Sequence, residues 1–276
     1  SAGIPEELQR FTHVVNFNDL DSVEYVLKRY PVGCIITEPI LQNIGVVKPQ
    51  EGYLQGLRDL ADEHGFLLIF DEVKTGFRQA IGGYQSICGV IPDLSTFGKA
   101  VANGYPLGVI GGKKEYMSYF AHPDPARKVL IAGTYNAFPL TTVAAIATLK
   151  KLSSPEHDVY SHVYQLGQML EDGLNSIFSQ YDLKFHVARQ GSAFCVYFMD
   201  HAPVDYHDIL AHHDFEFDRL YRLHLIDKGI FNFPLPIKQG SISYAHTAED
   251  IEMTLSATED VMGAIISHRT HKESVI

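Results

Sequence analysis

The chain has 276 residues, 46 % hydrophobic and 20 % charged, which fits a folded protein with a sizeable core and excludes a largely disordered one. Its 22 basic and 33 acidic residues give a formal net charge of −11, a surface that repels phosphate backbones, so no nucleic-acid partner is expected. No apolar run reaches bilayer length and the three cysteines, Cys34, Cys88 and Cys195, are far apart and read as reduced thiols, so the expectation is a cytoplasmic protein with no membrane partner.

In chain order, residues 33–39 (GCIITEP) are β-branched, apolar and bounded by Gly and Pro, which predicts a buried strand. Residues 51–64 place Leu54, Leu57, Leu60 and Ala61 on one helical face, with Gly65 as the stop. FLLIFDEV (66–73) is a second continuous apolar strand, ending in two carboxylates. Strand, helix, strand in that order is a βαβ crossover and implies a parallel sheet. A further short strand is expected at 107–112 and a helix at 139–152, with Pro139 in its first turn.

After Ser153-Ser154-Pro155 the pattern changes. A long helix over about 156–180 leads into two strands within 184–199 that pair across Gln190-Gly191-Ser192. Then come a histidine-rich loop, a helix around 215–228, short strands at 230–233 and 241–245, and a closing helix from about 248. The fold class is therefore α/β: a mostly parallel sheet with helices on both faces in residues 1–152, and a smaller α+β domain in residues 153–276.

In open parallel sheets, functional groups gather at the carboxyl ends of the strands, where Asp71 and Glu72 lie. On its own, Asp71 reads equally well as a structural acid paired with Arg78. Further on, PDLSTFGK (92–99) places Lys99 after a strand-like run, between Gly98 and Ala100. A lysine in such an apolar stretch is a candidate for a desolvated amine able to form an imine. A lysine and an aspartate from neighbouring strand ends are what pyridoxal 5'-phosphate requires: an amine to hold its aldehyde, and a carboxylate to keep its ring nitrogen protonated.

These segments resemble the class III aminotransferases of PLP fold type I, above all the branch containing glutamate-1-semialdehyde aminomutase. The matching stretches are residues 37–65, 67–78, 82–112, 132–149 and 243–255, in the family's order, and the spacing of FDEV, GFR, PDL and GK makes the resemblance specific. It implies pyridoxal 5'-phosphate as cofactor, with Lys99 as the lysine that binds it and Asp71 as the partner of its ring nitrogen. Val73 corresponds to the residue against one ring face, and Asn43 to a polar group near the phenolic oxygen. Gly133 and Thr134 correspond to a pair that binds the cofactor phosphate of the neighbouring subunit in a homodimer with shared sites; just ahead of the helix at 139–152, they are expected near its N-terminus. Glu38, in the family-matching EP, is a candidate contact for a substrate ammonium or a mobile arginine.

The activity implied is amino-group transfer between an amino acid or amine and a carbonyl compound. An intramolecular aminomutase is the alternative, and a non-catalytic truncated homologue the second. The segment at 239–251 contains no arginine to clamp a carboxylate and resembles the aminomutase branch, whereas GTYNAFP (133–139) departs from the family's commoner Gly-Thr-x-x-Gly-Asn-Pro. The family's N-terminal portion, with its phosphate turn and its aromatic residue over the other ring face, has no counterpart here. The histidines at 201, 207, 212 and 213 fit neither a His-Glu-x-x-His nor a Cys/His zinc pattern, so that segment is read as a solvated loop with no metal.

Overall fold

The computed structural model describes residues 2–273, with side chains through Ser267. A short helix α1 (Glu6–Gln9) carries Glu6 and Glu7 in its first turn, where carboxylates suit the helix dipole. Helix α2 (Leu20–Leu27) begins at Asp19, whose side chain accepts from the Ser22 N–H at 3.0 Å. Strand β1 (Cys34–Thr37) is followed by α3 (Tyr53–His64), which buries Leu54, Leu57 and Ala61 and stops at Gly65 in the left-handed region. Strand β2 (Leu67–Asp71) runs parallel to β1, with Ile36 opposite Ile69.

Leu68 and Phe70 of β2 are fully buried in one cluster with Leu57 of α3, so the βαβ unit closes on its own apolar face. Each such side chain contributes about 1.5–3 kcal/mol of burial free energy. After α4 (Gln85–Cys88), strand β3 (Leu94–Phe97) pairs parallel to β2 with Asp71 opposite Thr96. A single 3-10 turn over Lys99–Ala102 then leads to β4 (Val109–Gly112), which pairs antiparallel to β3. The four-stranded order is β1-β2-β3-β4, a mostly parallel sheet with one antiparallel edge. A short α5 (Lys114–Met117) precedes α6 (Pro139–Leu152), where Pro139 occupies the first turn as expected.

Helix α7 (Val159–Phe178) buries a stripe running from Val159 and Val163 through Leu166, Leu170 and Leu174 to Ile177. The antiparallel pair β5 (His186–Gln190) and β6 (Ala193–Tyr197) turns at Gly191-Ser192, as the sequence predicts. Next comes α8 (Tyr206–His212), a helix where a loop was expected: Asp205 caps it by accepting from the Asp208 N–H at 2.8 Å, and Ile209 is fully buried. Helix α9 (Phe215–Asp227) follows, capped by Asp214. The expected strand at 230–233 is irregular chain, and the one at 241–245 shrinks to β7 (Gly240–Ser241), paired with β6. Helix α10 (Ala248–Glu273) starts where Thr247 and Asp250 cap each other reciprocally. Among the described residues, no helix is long and apolar enough to cross a membrane.

The second sheet has a cluster of its own with α7, α9 and α10, and it also shares the core of the first. The cluster under β1–β2 also takes in Cys195, Tyr197, Met199 and Ile209 from the second sheet's side. Tyr197 makes the junction specific: its hydroxyl accepts from the Val46 N–H at 2.8 Å and donates to the Ile44 carbonyl at 2.7 Å. Asp218, fully buried on α9, pins the chain at Ile237 by accepting its N–H at 2.7 Å, and is itself faced by Arg222 and His213.

Candidate active site

Asp71 ends β2, and Lys99 lies two residues beyond the end of its parallel neighbour β3. The register therefore brings the two residues to one edge of the sheet, where parallel strands present functional groups. Asp71 Oδ1 accepts from the Val73 N–H at 3.0 Å and from the Thr96 hydroxyl at 3.4 Å. Both contacts fall on Oδ1, so among the described residues Oδ2 remains open to a further donor. Arg78 does not pair with Asp71; its Nε donates to the Lys74 carbonyl at 2.9 Å. Thr96, which no motif singled out, is placed beside Asp71 by strand register.

The adjacent carboxylate has the opposite character. Glu72 is fully buried and accepts from the Thr75 hydroxyl, the Tyr84 and Gln85 N–H groups and the Gln85 side-chain amide. Gly83 makes room for it: a Cβ there would sit 2.6 Å from Glu72 Oε1. Glu72 is committed to the fold, and Asp71 is the carboxylate open to chemistry.

Lys99 is exposed and adopts φ 44°, the left-handed region that a branched or long side chain rarely occupies. Such a backbone at the start of a 3-10 turn is local strain held by its surroundings, a feature that concentrates at functional sites. Val73 lies across from Gly98, 3.4 Å from where a Cβ would stand. A cavity of about 630 Å³ opens beside this region, lined by Lys99 and Arg78 with Leu107, Tyr160 and Tyr244 among others. Asp71, Val73, Asn43 and Thr134 do not line it, so the open strand-end surface and the cavity meet only at Lys99.

Glu38 is half-buried just past β1 and accepts from the Gln42 N–H and the Asn43 side-chain amide, each at 3.0 Å. It thereby orients the Asn43 side chain, while the Asn43 main-chain carbonyl accepts from Lys238 Nζ at 3.0 Å. Lys74 donates to the Gln42 carbonyl at 2.7 Å. Burial pulls the Lys74 ammonium below its ordinary value, Glu38 counters this, and Lys99, Lys238 and Arg78 add to the fall. Burial likewise lowers Arg78. Lys74 thus links Lys99 to two further cations, Lys238 and Arg78, with Glu38 opposing them; Lys74, Arg78 and Lys238 were not identified as site groups from sequence, and the available signal was the pair of basic residues inside DEVKTGFR.

Gly133 and Thr134 lie ahead of α6, as its start at Pro139 requires, without reaching its first turn. They lie in a run of turns five or more residues ahead of Pro139, and α6 is entered through Phe138, so neither residue sits at the helix N-terminus. Both are exposed, within a stretch that leaves Leu130, Ile131 and Tyr135 uncovered. Cys195 is buried, and burial pushes its thiol up to about 12, which keeps it protonated and inert.

The family model for class III aminotransferases matches residues 7–216. The chain belongs to the class III aminotransferase family. It is 39 % identical over 265 residues to glutamate-1-semialdehyde 2,1-aminomutase 2 of Lachnoclostridium phytofermentans, covering 95 % of this chain and 61 % of that relative. Among solved structures it resembles a glutamate-1-semialdehyde aminomutase from Pseudomonas aeruginosa in complex with PMP, with a TM-score of 0.83 at 30 % identity. It also resembles an omega-transaminase from Sphaerobacter thermophilus, with a TM-score of 0.85 at 28 % identity. Each of these matches covers 95 % of this chain and 59 % of the solved one. The chain thus spans about three fifths of the length of its relatives, and its fold is that of the PLP fold type I aminotransferases.

Proposed function

We propose that this class III chain carries the lysine-bearing part of a pyridoxal 5'-phosphate site that moves amino groups between an amino acid or amine and a carbonyl compound. The observation that carries the reading is the pairing of Asp71, with Oδ2 open, and Lys99, strained and exposed, at the ends of adjacent parallel strands. The residues present fit the cofactor. Lys99 offers an amine for the covalent link, Asp71 Oδ2 an acceptor for a ring N–H, Val73 an apolar surface for one ring face, and Asn43 a polar group held in place by Glu38. Lys74 near Lys99, and Arg78 beside Lys99 on the cavity wall, favour an anionic occupant.

When bound, the cofactor supplies an electron sink for negative charge on the substrate carbon. Lys99 holds the cofactor in the resting protein and, once the substrate amine replaces it, carries the substrate proton at Nζ. Asp71 keeps the ring nitrogen protonated and so sustains the electron sink. Retention of both residues argues against the non-catalytic homologue. The test is borohydride reduction after adding pyridoxal 5'-phosphate, followed by peptide mapping. A reduced label on Lys99, lost in Lys99→Ala, supports the assignment; a folded protein with no label, or a label elsewhere, overturns it.

A specific observation favours the aminomutase as a second reading: a relative at 39 % identity bears that name, and the segment from Gln239 to Ile251 contains no arginine. Labelled nitrogen that stays on one carbon skeleton would identify the mutase; nitrogen that appears in a second compound would identify the transferase.

The site is proposed to be shared between two copies in a homodimer, with Gly133 and Thr134 serving the neighbour's cofactor phosphate. Leu130 is 81 % and Tyr135 78 % exposed, and Leu140, Val143 and Ile146 of α6 are uncovered as well. An apolar surface of that extent suits an interface. The same reading divides the chain at 152/153, with the four-stranded sheet in the larger domain and the three-stranded sheet in the smaller.

A further inference from the structure

Three donor atoms converge in the segment that follows β6, on residues that do not line the cavity beside Lys99. His201 lies in the connection between β6 and α8, while Asp208 and His212 lie one turn apart on α8, where an i, i+4 spacing sets them on one face. His201 Nε2 is 2.9 Å and His212 Nδ1 is 2.8 Å from the same oxygen, Asp208 Oδ1. All three donors fall within 4.8 Å of one another.

His201 and Asp208 are each held by a partner outside the cluster, while His212 Nδ1 also lies 3.0 Å from the Asp208 main-chain carbonyl. His201 Nδ1 faces Asp200 Oδ1 at 2.9 Å, and the other Asp200 oxygen is taken by Lys184 at 2.8 Å. Asp208 Oδ2 accepts from the Val204 N–H at 2.9 Å. The frame is firm: Asp205 caps α8, Ile209 is fully buried, and Asn18 Nδ2 grips the Val204 carbonyl at 2.8 Å. The remaining histidines of the segment stand apart. His213 is buried, with Nδ1 accepting from the Phe198 N–H and Nε2 on Asp218, and His207 is exposed outside the cluster.

We propose that His201, Asp208 and His212 form a binding site for a divalent transition metal, best suited to Zn²⁺, with its fourth position open to water. Two imidazoles and one carboxylate suit Zn²⁺ better than the all-oxygen preference of Mg²⁺ or Ca²⁺. Bonds of about 2.0–2.1 Å in tetrahedral geometry set ligand atoms about 3.3 Å apart, so each histidine nitrogen need retreat from Asp208 Oδ1 by about half an ångström, and the two histidine nitrogens, within 4.8 Å of each other, complete the set by side-chain rotation. The Asp200–His201 contact is the carboxylate–imidazole pairing that commonly orients a metal-bound histidine. Sequence spacing concealed the site because one ligand comes from a connection and two from a helix too short to be recognised. A bound ion would cross-link the 200–205 connection to the last turn of α8, fastening the segment that Asn18 anchors from the other sheet's side.

The test is titration of chelator-stripped protein with Zn²⁺ alone against a chromophoric competitor. One equivalent is expected to bind, with Asp208→Asn and His212→Ala each weakening it at least tenfold and Asp200→Asn weakening it about 10–100-fold. His207→Ala should bind as the wild type does. Circular dichroism of each metal-free variant checks its fold. Imidazole NMR of the wild type gives an independent readout, in which Zn²⁺ should move the His201 and His212 signals and leave His213 unmoved. Absence of saturable binding, binding unaffected by Asp208→Asn, or binding abolished by Cys34→Ser would each overturn the site and leave the cluster an ion-pair network.

Discussion

Glu72 and Asp71 are neighbours with opposite commitments, and a pair of isosteric substitutions separates them. In Glu72→Gln one side-chain oxygen becomes an NH₂ group, while four donors still point at the site. The Thr75 hydroxyl can rotate and the Gln85 amide can turn over, but the Tyr84 and Gln85 N–H groups cannot. One of those backbone donors is left facing another donor, a cost of about 1–3 kcal/mol. The surviving bonds also lose their charge assistance, while relief of a buried charge offsets part of the loss. A net destabilisation of about 2 kcal/mol follows, a substantial share of a typical 5–15 kcal/mol. In Asp71→Asn the retained carbonyl oxygen still accepts from the Val73 N–H and the Thr96 hydroxyl, so stability should change by less than about 0.5 kcal/mol. Amino transfer should nevertheless fall about 10²–10³-fold, because an amide no longer holds a positive charge on the ring nitrogen. Urea unfolding at neutral pH measures the first quantity and steady-state turnover the second. Equal destabilisation by the two variants, or a Glu72→Gln midpoint matching the wild type, would refute the division of roles.

Gly45→Ala should lower stability by more than about 2 kcal/mol, since the residue sits at φ 104° and a Cβ would stand 2.0 Å from the Tyr197 hydroxyl; a wild-type urea midpoint would show that this junction is loose. Tyr197→Phe strands the buried Val46 N–H and should cost about 1–3 kcal/mol, read in the same assay. Asp93 tests the pH dependence. Burial raises its carboxyl, but Lys113, the Leu68 N–H and Arg58 outweigh that and hold it below the ordinary value. A depressed folded pKa gives stability that is complete above the unfolded value of about 3.9 and is lost as pH falls through the folded one. Asp93→Asn should therefore be less stable at neutral pH and lose less on acidification; identical acid-unfolding curves would contradict this. Mixing Lys99→Ala with a Thr134 variant that binds phosphate poorly should restore activity, because one site of each mixed dimer then carries neither defect. No activity from demonstrated mixed dimers would place Thr134 in its own subunit's site.

Much of the fold was legible because its strong signals are local. The apolar run of residues 66–70, the leucine stripe of α3 with its Gly65 stop, and Pro139 at the start of α6 each specify an element without help from the rest of the chain. The misreadings fall where non-local packing decides. Residues 230–233 are β-prone, yet among the described residues no strand pairs with them. Helix α8 has only seven residues, and its stability comes from the Asp205 cap and the burial of Ile209 in a core built largely from the other sheet. A short polar helix of that kind leaves too little periodicity to detect.

The same contrast governs the two sites. Asp71 and Lys99 are 28 positions apart in the sequence, but two apolar runs and the rule that parallel strands point their carboxyl ends the same way bring them to one edge. What motif matching could not give was the state of each group: that Glu72 is consumed by four donors, that Asp71 keeps an oxygen free, and that Lys74 stands among Lys99, Lys238 and Arg78 with Glu38 opposing them. Lys238 illustrates why. It reaches Asn43 from a segment that α9 holds twice, Asp218 at the Ile237 N–H and Arg222 at the Lys238 carbonyl, so a side chain 195 positions away completes the surroundings of a β1 loop. Sequence spacing reports on elements that fold by their own pattern, whereas the charge balance of a site is set by whichever side chains the tertiary fold delivers to it.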